Sequence, residues 1–596
     1  MTELIRRRDI DFLLYEFLDI EKLLQHPRYA DLDRKVFDDI IDTAVKIAEE
    51  KFLSCAKELD IDEPAFDGRT VTIIPQVKEA LRAYEEAGFP AAIYDFEQGG
   101  LQLPWTVFQT AAAYFSAANI SISAYPLLTG GVANLLNAHG SPEQKTLYLP
   151  HLLSGRFYGT MCLSEPQAGS SLSDIRTRAE PTDDGYYRIR GTKMWISGGE
   201  HELSENIIHM VLAKIPGGPP GVKGISLFIV PKRHVHPDGR LGERNDVVLA
   251  GLNHKMGYRG TINTVLNFGE RSDCRGYLIG EAHKGLQYMF HMMNEARIGI
   301  GLGATALGYA GYLYALNYAR ERPQGRPPQD KNPVSRQVPI IEHADIRRLL
   351  LSQKAYVEGA LALLLNCALL VDEQKISDRP ERQEELALLL DILTPIAKSW
   401  PSEFCLEANK MAMQVLGGYG YTREYPLERL YRDNRLNPIH EGTYGIHGID
   451  LLGRKVRMAG GKALTTLLGH IRSDIRRAEE RESLRTYAQQ LETTLQGVEQ
   501  TTSILVNCEN LNQSLANSTI YLDMMGHVVI AWTWLRQAIV ATDNRKNAVT
   551  GDQAFYRGKL SACRFFFHYE LPKTRSMMEL LQSLEDTCIT ILVDEF

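Results

Sequence analysis

The spacing of apolar residues changes twice along this chain of 596 residues. Between about residues 5 and 153, apolar positions recur at steps of three and four, which predicts helices. From about 155 to 280 the apolar runs are short and separated by turn clusters, which predicts strands. Helical spacing returns at about 284, interrupted at 322–333, where four prolines predict a loop. The strands are predicted at 187–190, 207–213, 225–230 and 265–268.

These patterns predict a mainly helical α+β protein of four domains. Two glycine pairs, Gly99–Gly100 and Gly130–Gly131, are predicted to interrupt the N-terminal helices. The predicted domains are an N-terminal helical domain (1–154), a central antiparallel β domain (155–280), a four-helix-bundle domain (281–460) and an additional C-terminal helical domain (461–596).

Composition narrows the class of protein. No run of about 18 apolar residues exists, and no apolar stretch follows the basic N-terminus, so we expect neither a membrane span nor a signal peptide. Eight scattered cysteines without a Cys-x-x-Cys spacing indicate reduced thiols, and we predict no metal site. The net charge of −8 argues against general affinity for nucleic acid or anionic lipid. We therefore expect a soluble cytoplasmic enzyme.

One carboxylate stands out as candidate chemistry. Residues 439–445 read Ile-His-Glu-Gly-Thr-Tyr-Gly and place Glu441 in a glycine-flanked turn between two predicted helices. Loss of hydration raises the pKa of a carboxylate toward the operating pH, where it can take a proton as a general base. The alternative is that Glu441 caps the helix beginning near Tyr444, since acids favour that position.

Four separate stretches occur together in one order. They are Leu163-Ser-Glu-Pro-Gln-Ala-Gly-Ser170, Gly191-Thr-Lys-Met-Trp-Ile-Ser197, Gln414-Val-Leu-Gly-Gly418 and Ile439-His-Glu-Gly-Thr443. Over about residues 40–460 the chain resembles the acyl-CoA dehydrogenase family. The long N-terminal lead and the C-terminal addition further resemble its large bacterial subgroup, which includes methylmercaptopropionyl-CoA dehydrogenases and enzymes for longer fatty acyl chains.

The resemblance implies FAD-dependent α,β-dehydrogenation of an acyl-CoA to trans-2-enoyl-CoA, in fatty-acid β-oxidation, with electrons passed to electron-transfer flavoprotein. A base removes the α-proton while a hydride leaves the β-carbon for the flavin. The resemblance makes Glu441 this base, and its own backbone N–H helps to hold the thioester oxygen. Another branch carries its base on an earlier helix, but that position is Ala296 here. Glu295, one residue away, is expected to be a solvated or salt-bridged helix residue.

The resemblance also assigns the binding residues. Trp195 would pack on the flavin, and Arg322 would reach the FAD pyrophosphate of a neighbouring subunit. The alternatives are an ordinary loop at 161–170, a bare helix break at 417–418 and a plain salt bridge for Arg297. The predicted FAD-binding residues are Met161, Leu163, Ser164, Gly169, Ser170, Trp195, Ile196, Ser197, Arg322, Gln414, Gly417, Gly418, Thr443 and Gly445. The predicted substrate-binding residues are Ser170, Asn294, Arg297, His440 and Gly442.

Three positions depart from the family pattern. The family commonly has Arg-x-x-Phe-Gly where this chain has Arg322-Pro-Gln-Gly325, so the apolar contact of that Phe is lost. His440 stands where a Tyr often precedes the base, and it either tunes the pKa of Glu441 or lines the pocket. Gly445 replaces a Gln that frequently contacts FAD.

Alternatives to this function remain open. One is 3-methylmercaptopropionyl-CoA as the substrate, and another is an acyl-CoA oxidase that uses O2. A third is nucleic-acid binding through the C-terminal region, as in one branch of the family. The arginines near residue 476 are interleaved with acids, which indicates a solvated helix face and no nucleic-acid partner. The additional C-terminal helices would cover a surface used for tetramer assembly in shorter relatives, so we expect a homodimer.

Overall fold

The computed structural model describes residues 3–546 and 548–596, apart from the side chains of 291–294. The chain forms two compact units. The first unit is Arg34–Gly299, and the second unit joins the residues up to Asp33 with Ile300–Phe596.

The region before the main sheet is helical, as predicted, except for one short antiparallel strand pair at 65–72. The helix α6 begins with a capping box, because the Ser141 hydroxyl accepts from the Gln144 N–H at 3.2 Å and the Gln144 side chain accepts from the Ser141 N–H at 3.0 Å. The predicted break at Gly130–Gly131 is wrong: both residues lie inside α5, whose one non-helical residue is Asn119. The helices are α1 (Arg7–Asp11), α2 (Arg34–Ile47), α3 (Ala56–Ile61), α4 (Pro75–Glu86), α5 (Trp105–His139) and α6 (Pro142–Leu153).

The first unit contains the β structure. The main sheet has the order β10-β11-β5-β12-β7-β6-β3, and β4 pairs with β5 and β6. Most pairs are antiparallel, but β3 runs parallel to β6. All four predicted strand segments are confirmed. The strands are β1 (Ala65–Phe66), β2 (Val71–Thr72), β3 (Phe157–Cys162), β4 (Arg178–Pro181), β5 (Tyr187–Ser197), β6 (Asn206–Lys214), β7 (Ile225–Pro231), β8 (Arg233–Val235), β9 (Leu241–Arg244), β10 (Val247–Leu252), β11 (Asn263–Phe268) and β12 (Arg275–Leu278).

Helices α5 and α6 pack on one face of this sheet. Their Leu136 and Leu152 share a core with Phe157 of β3 and Met210 of β6, and all four side chains are at most 1% exposed. Burial of this kind stabilises by roughly 1.5–3 kcal/mol for each large apolar side chain. Strand β3 is therefore fixed by packing, and it ends at Cys162, directly beside the predicted binding residues.

Helical structure resumes after the sheet. The predicted loop is confirmed between α7 and α8, which leaves 322–343 without an α-helix. Helix α8 is long and apolar enough to cross a membrane, but 89% of its most apolar 18-residue window is buried inside the protein. The helices are α7 (Gly285–Glu321), α8 (Ala344–Ile376), α9 (Pro380–Leu416), α10 (Leu427–Asn434), α11 (Tyr444–Ile449), α12 (Lys462–Glu479), α13 (Arg485–Asn507), α14 (Leu511–Leu515), α15 (Ser518–Arg545), α16 (Thr550–Phe565), α17 (Thr574–Gln582) and α18 (Thr587–Thr590).

A buried ionic cluster joins the two ends of the sequence within the second unit. The Lys559 ammonium of α16 is fully buried and contacts carboxylates of Asp9 on α1 and Glu358 on α8, the latter at 2.9 Å. The Tyr309 hydroxyl donates to the other oxygen of Asp9 at 2.8 Å. Buried charges of this kind persist only when they are paired and hydrogen-bonded, so α1 and α16 are fixed together.

Candidate active site

The segment that follows β3 forms a tight turn. The Glu165 N–H donates to the Ala168 carbonyl at 2.9 Å, and the Ala168 N–H donates back to Glu165 at 3.0 Å. Gly169 and Ser170 follow this turn at exposed positions, while Met161, Leu163 and Ser164 before it are half-buried. The predicted binding residues of this segment therefore stand on a rigid turn at the end of a buried strand.

A buried ion pair between Glu165 and Lys193 stabilises this turn. The carboxylate of Glu165 accepts from the Lys193 ammonium at 3.0 Å and from the Thr177 hydroxyl at 2.6 Å, and the ammonium also donates to the Leu163 carbonyl at 2.9 Å. Burial opposes ionisation of Glu165, but the Lys193 charge and the hydrogen bonds from Thr177 and Arg176 outweigh it and lower the pKa of Glu165 to about 2. Glu165 and Lys193 both lie within the motifs described above, but the sequence alone assigned no role to either.

Strand β5 lies beside the turn and presents Trp195. The Met194 N–H donates to the Ser164 carbonyl at 3.0 Å, which joins the two segments. Trp195 adopts φ +67° and leaves 57% of its surface exposed. Ser197 accepts from the Asn263 amide at 3.0 Å, whereas Ile196 is buried in the sheet. A large aromatic side chain in left-handed backbone is uncommon and marks a position whose conformation the surrounding structure imposes.

The α7 segment contains the predicted substrate-side residues. Arg297 is buried, with 4% of its surface exposed, while Asn294 lies outside the described side chains. Glu295 is half-buried, and its carboxylate accepts from the Asn134 amide at 2.6 Å; its expected role as a solvated or salt-bridged helix residue stays a prediction. The Asn134 oxygen in turn accepts from the Tyr94 hydroxyl. Glu295 is thus hydrogen-bonded to α5.

The turn 439–445 is held through its carbonyl groups. Glu441 and Gly442 both adopt left-handed backbone, with φ of +52° and +91°. The Glu441 carbonyl accepts from the His447 Nε2 at 3.1 Å, and the Gly442 carbonyl accepts from the buried Lys398 ammonium at 2.8 Å. A Cβ at position 442 would lie 2.8 Å from the His447 Nε2, so this close approach requires glycine.

The cap of the following helix is Thr443. Its hydroxyl accepts from the Ile446 N–H at 3.5 Å, at the first turn of α11. This arrangement contradicts the alternative in which Glu441 is the cap residue. Thr443 is therefore the cap residue of α11.

A chain of buried amides fixes the orientation of His440. Asn409 and Asn434 donate to the backbone carbonyls of Leu307 at 2.9 Å and Ala304 at 3.0 Å. Because those carbonyls only accept, the amide directions follow from them: Asn434 also donates to Asn409 at 2.7 Å and accepts from Asn437 at 2.9 Å. The Asn437 oxygen then faces the His440 Nε2 at 3.0 Å.

The imidazole of His440 consequently carries a proton on Nε2. The Asn437 oxygen can only accept, so Nε2 must donate. Burial, reinforced by the Lys398 charge, lowers the pKa of His440 to about 3. The two roles considered for His440, tuning the pKa of Glu441 and lining the pocket, stay predictions.

The remaining predicted residues are all in the second unit. Arg322 folds onto its own loop, where it contacts the Pro323 carbonyl and donates to the Gln324 side chain at 3.1 Å. Gly417 ends α9 with φ +60° and, like Gly418 and Gly445, faces open space where a Cβ would lie. The structure thus groups 161–170 with 195–197 in the first unit, and 440–445 with Lys398 in the second.

Comparison with known proteins identifies the class. The model of the acyl-CoA dehydrogenase N-terminal domain matches residues 37–156, that of the middle domain matches 160–270 and that of the C-terminal domain matches 283–456. A fourth model, described as acetyl-CoA dehydrogenase C-terminal like, matches 467–591. The chain belongs to the acyl-CoA dehydrogenase family and is an oxidoreductase of that type.

Several curated relatives extend over nearly the whole chain. The 3-methylmercaptopropionyl-CoA dehydrogenase of Ruegeria pomeroyi is 34% identical over 88% of each chain. The broad-specificity linear acyl-CoA dehydrogenase FadE5 of Mycobacterium tuberculosis is 33% identical over 97% of each chain. A butyryl-CoA dehydrogenase of Syntrophomonas wolfei is 32% identical over 100% of this chain and 99% of its own.

A solved structure supports the same fold. An acyl-CoA dehydrogenase from Bacillus anthracis, complexed with FAD, superposes with a TM-score of 0.72 at 21% identity, over 94% of this chain and 93% of that chain. FAD is the cofactor of this family, as the resemblance implied.

Proposed function

We propose that this protein oxidises acyl-CoA thioesters to trans-2-enoyl-CoA in fatty-acid β-oxidation and passes the electrons to electron-transfer flavoprotein. The observation that carries the proposal is the turn at 440–445, which presents Glu441 on a backbone held at two successive carbonyls. A base that must meet one proton of the substrate requires this rigidity, since small displacements of a reacting group cost large factors in rate.

The chemistry divides between the chain and its cofactor. Bound FAD supplies the acceptor for the hydride that leaves the β-carbon. The Glu441 carboxylate takes the α-proton, and its backbone N–H binds the thioester oxygen as negative charge develops there. His440, neutral and fixed by Asn437, lines the site as a polar wall with no charge of its own.

The residues present fit a flavin. Trp195 exposes 57% of a large ring, which an isoalloxazine would cover. Apart from the adjoining backbone, no atom of the described residues lies within 4 Å of a Cβ built at Gly169, Gly417, Gly418 or Gly445, which leaves open space for a ligand. We propose that Met161, Leu163, Ser164, Trp195 and Ser197 hold the ring, and that Arg322 and 414–418 contact the FAD of a second copy in a homodimer.

The substrate is proposed to be a linear acyl chain. The three relatives that extend over nearly the whole chain are named for 3-methylmercaptopropionyl-CoA, butyryl-CoA and linear acyl-CoA, which share an unbranched acyl backbone. No observation on this chain favours one length, so length is an outcome of the test.

Anaerobic bleaching of the FAD-loaded protein with a panel of acyl-CoAs tests the proposal. We expect bleaching by linear acyl-CoAs, including 3-methylmercaptopropionyl-CoA in the panel, and reoxidation by electron-transfer flavoprotein. Glu441→Gln should retain FAD and bind acyl-CoA without bleaching, whereas the matched control Glu295→Gln should bleach normally. Full bleaching by Glu441→Gln would show that this residue is not the base. Hydrogen peroxide formed in proportion to substrate would identify an oxidase instead.

A further inference from the structure

The C-terminal segment, defined as residues 461–596, contacts the turn that carries Glu441. We infer that Asp523 of this segment is a positioning residue for catalysis, because it holds Tyr444 and through it the turn. The inference rests on the proposed function, in which Glu441 is the base.

Tyr444 links three parts of the second unit. It is the first residue of α11, three positions after Glu441, and its hydroxyl donates to the Asp523 carboxylate on α15. Its backbone N–H donates to the Pro438 carbonyl at 3.1 Å, on the far side of the turn. A displacement of Tyr444 therefore moves both ends of the turn 439–445.

Helices α11 and α15 also meet at backbone distance. A Cβ built at Gly448 of α11 would lie 2.8 Å from the carbonyl carbon and oxygen of Ser518, at the first residue of α15. Real Cβ contacts are essentially never this short, so the two helices approach with no room for a side chain. The start of α15 therefore fixes where α11 can lie.

Helix α15 is itself anchored to the bundle. The His527 Nδ1 bonds to the Asp523 carbonyl at 2.8 Å, and the His527 ring packs against Phe404 of α9 with centroids 4.8 Å apart. Further along, the Trp534 indole donates to the Ala355 carbonyl of α8 at 2.9 Å. Because α9 also carries Lys398, the turn is held by Lys398 from one helix and by Asp523 from another.

The charged form of the Asp523 carboxylate is stabilised by the hydrogen bond from the Tyr444 hydroxyl. Burial raises the pKa of Asp523, while the hydrogen bond from Tyr444 and the nearby His527 oppose the rise. Removal of the Tyr444 hydroxyl would leave the half-buried Asp523 carboxylate without this donor, which favours a shift of α11 away from α15.

The test uses the FAD-loaded full chain and four variants. Tyr444→Phe removes the donor, Asp523→Leu removes the acceptor, and Asp523→Asn restores an oxygen that can accept. Asp474→Asn is the matched control, since this buried carboxylate of the same segment bonds to Trp532 at 2.9 Å and Arg477 at 2.7 Å, both within the segment. The readouts are anaerobic flavin reduction, substrate affinity, and deuterium exchange of amides at 439–449.

We expect Tyr444→Phe and Asp523→Leu to slow flavin reduction about 10- to 100-fold and to leave the acyl-CoA Kd within about twofold. Both should speed amide exchange at 439–449, their effects should not add in the double variant, and Asp523→Asn should recover part of the rate. Asp474→Asn should change neither readout at the turn.

Wild-type rates in Tyr444→Phe and Asp523→Leu would overturn the inference, as would an equal loss in Asp474→Asn, which would indicate general loosening. Glu441→Gln, measured in the same series, separates the two claims. Full activity of that variant refutes the proposed base, whereas an inactive Glu441→Gln beside fully active Tyr444→Phe refutes only the positioning role.

Discussion

The ammonium of Lys398 donates a 2.8 Å hydrogen bond to the carbonyl of Gly442, the residue that follows Glu441. Lys398 is fully buried on α9, so its charge and its geometry both act on the turn from inside the protein. Lys398→Met should leave the Gly442 carbonyl without this donor, which typically costs about 1–3 kcal/mol for a buried group.

We expect Lys398→Met to slow flavin reduction at least about tenfold, because the turn that carries Glu441 loses one of its supports. Stopped-flow absorbance of the flavin measures this. The control is Lys410→Met on the same helix, where an exposed lysine pairs with Glu407 at 3.1 Å. Comparable losses in both variants would refute a specific role for Lys398.

The amide chain beneath His440 should matter for stability. Asn434→Ala removes the residue that connects Asn409, Asn437 and the Ala304 carbonyl. Several buried polar groups would then lack a partner, so we expect the free energy of unfolding to fall on the order of 3 kcal/mol. Urea denaturation measures the change. Asn507→Ala, at an exposed asparagine, should stay within about 0.5 kcal/mol of wild type.

Trp195 should affect cofactor binding more than folding. Trp195→Gly suits the φ of +67° and removes a ring that is 57% exposed, so the apoprotein should keep its melting temperature. The Kd for FAD should rise about tenfold, the loss expected for one aromatic stacking contact. Trp195→Phe keeps a ring and should recover most of the affinity. An unchanged Kd in Trp195→Gly would exclude this residue from the flavin site.

The Glu165–Lys193 pair gives a pH-dependent contribution to stability. The folded-state pKa of Glu165 is about 2, below the ordinary value of 4.5. A depressed carboxylate pKa stabilises the fold above pH 4.5, and this contribution is lost as the pH falls from 4.5 toward 2.

Glu165→Gln should therefore cost on the order of 3 kcal/mol at pH 7, and the gap to wild type should narrow below pH 4.5. Denaturation curves at pH 7, 5, 4 and 3 measure it. Glu86→Gln, in a surface pair with Arg82 at 2.7 Å, should cost under about 1 kcal/mol throughout. A gap that stays constant with pH would contradict the assigned pKa.

Patterns within a few residues predicted much of the fold. The strand at 225–230 and the loop after Glu321 are predictable because a short apolar run and a proline cluster act locally. The predicted helix break at the glycine pair 130–131 was wrong. Helix α5 is buried along most of its length, and this packing overrides the weak helix propensity of glycine.

The candidate site was predictable only where its residues share a motif. The motif Glu441-Gly442-Thr443 is continuous in sequence, so it predicts the candidate site without knowledge of the fold. The helical pattern around Lys398 predicts an ordinary solvated lysine. The neighbouring residues do not predict its contact with Gly442, which is 44 positions away. Asp523 is likewise 79 positions from Tyr444, so that contact follows only from tertiary structure.

The pairing of Asp9 with Lys559 has a consequence for synthesis of the chain. Translation at about 5–20 residues per second separates the emergence of these two residues by roughly half a minute to two minutes. During that interval the apolar residues of the first 33 positions, such as Phe12 and Leu13, have no C-terminal helices to bury them. These N-terminal apolar residues therefore stay exposed on the nascent chain during that interval, and a ribosome-associated chaperone could bind them.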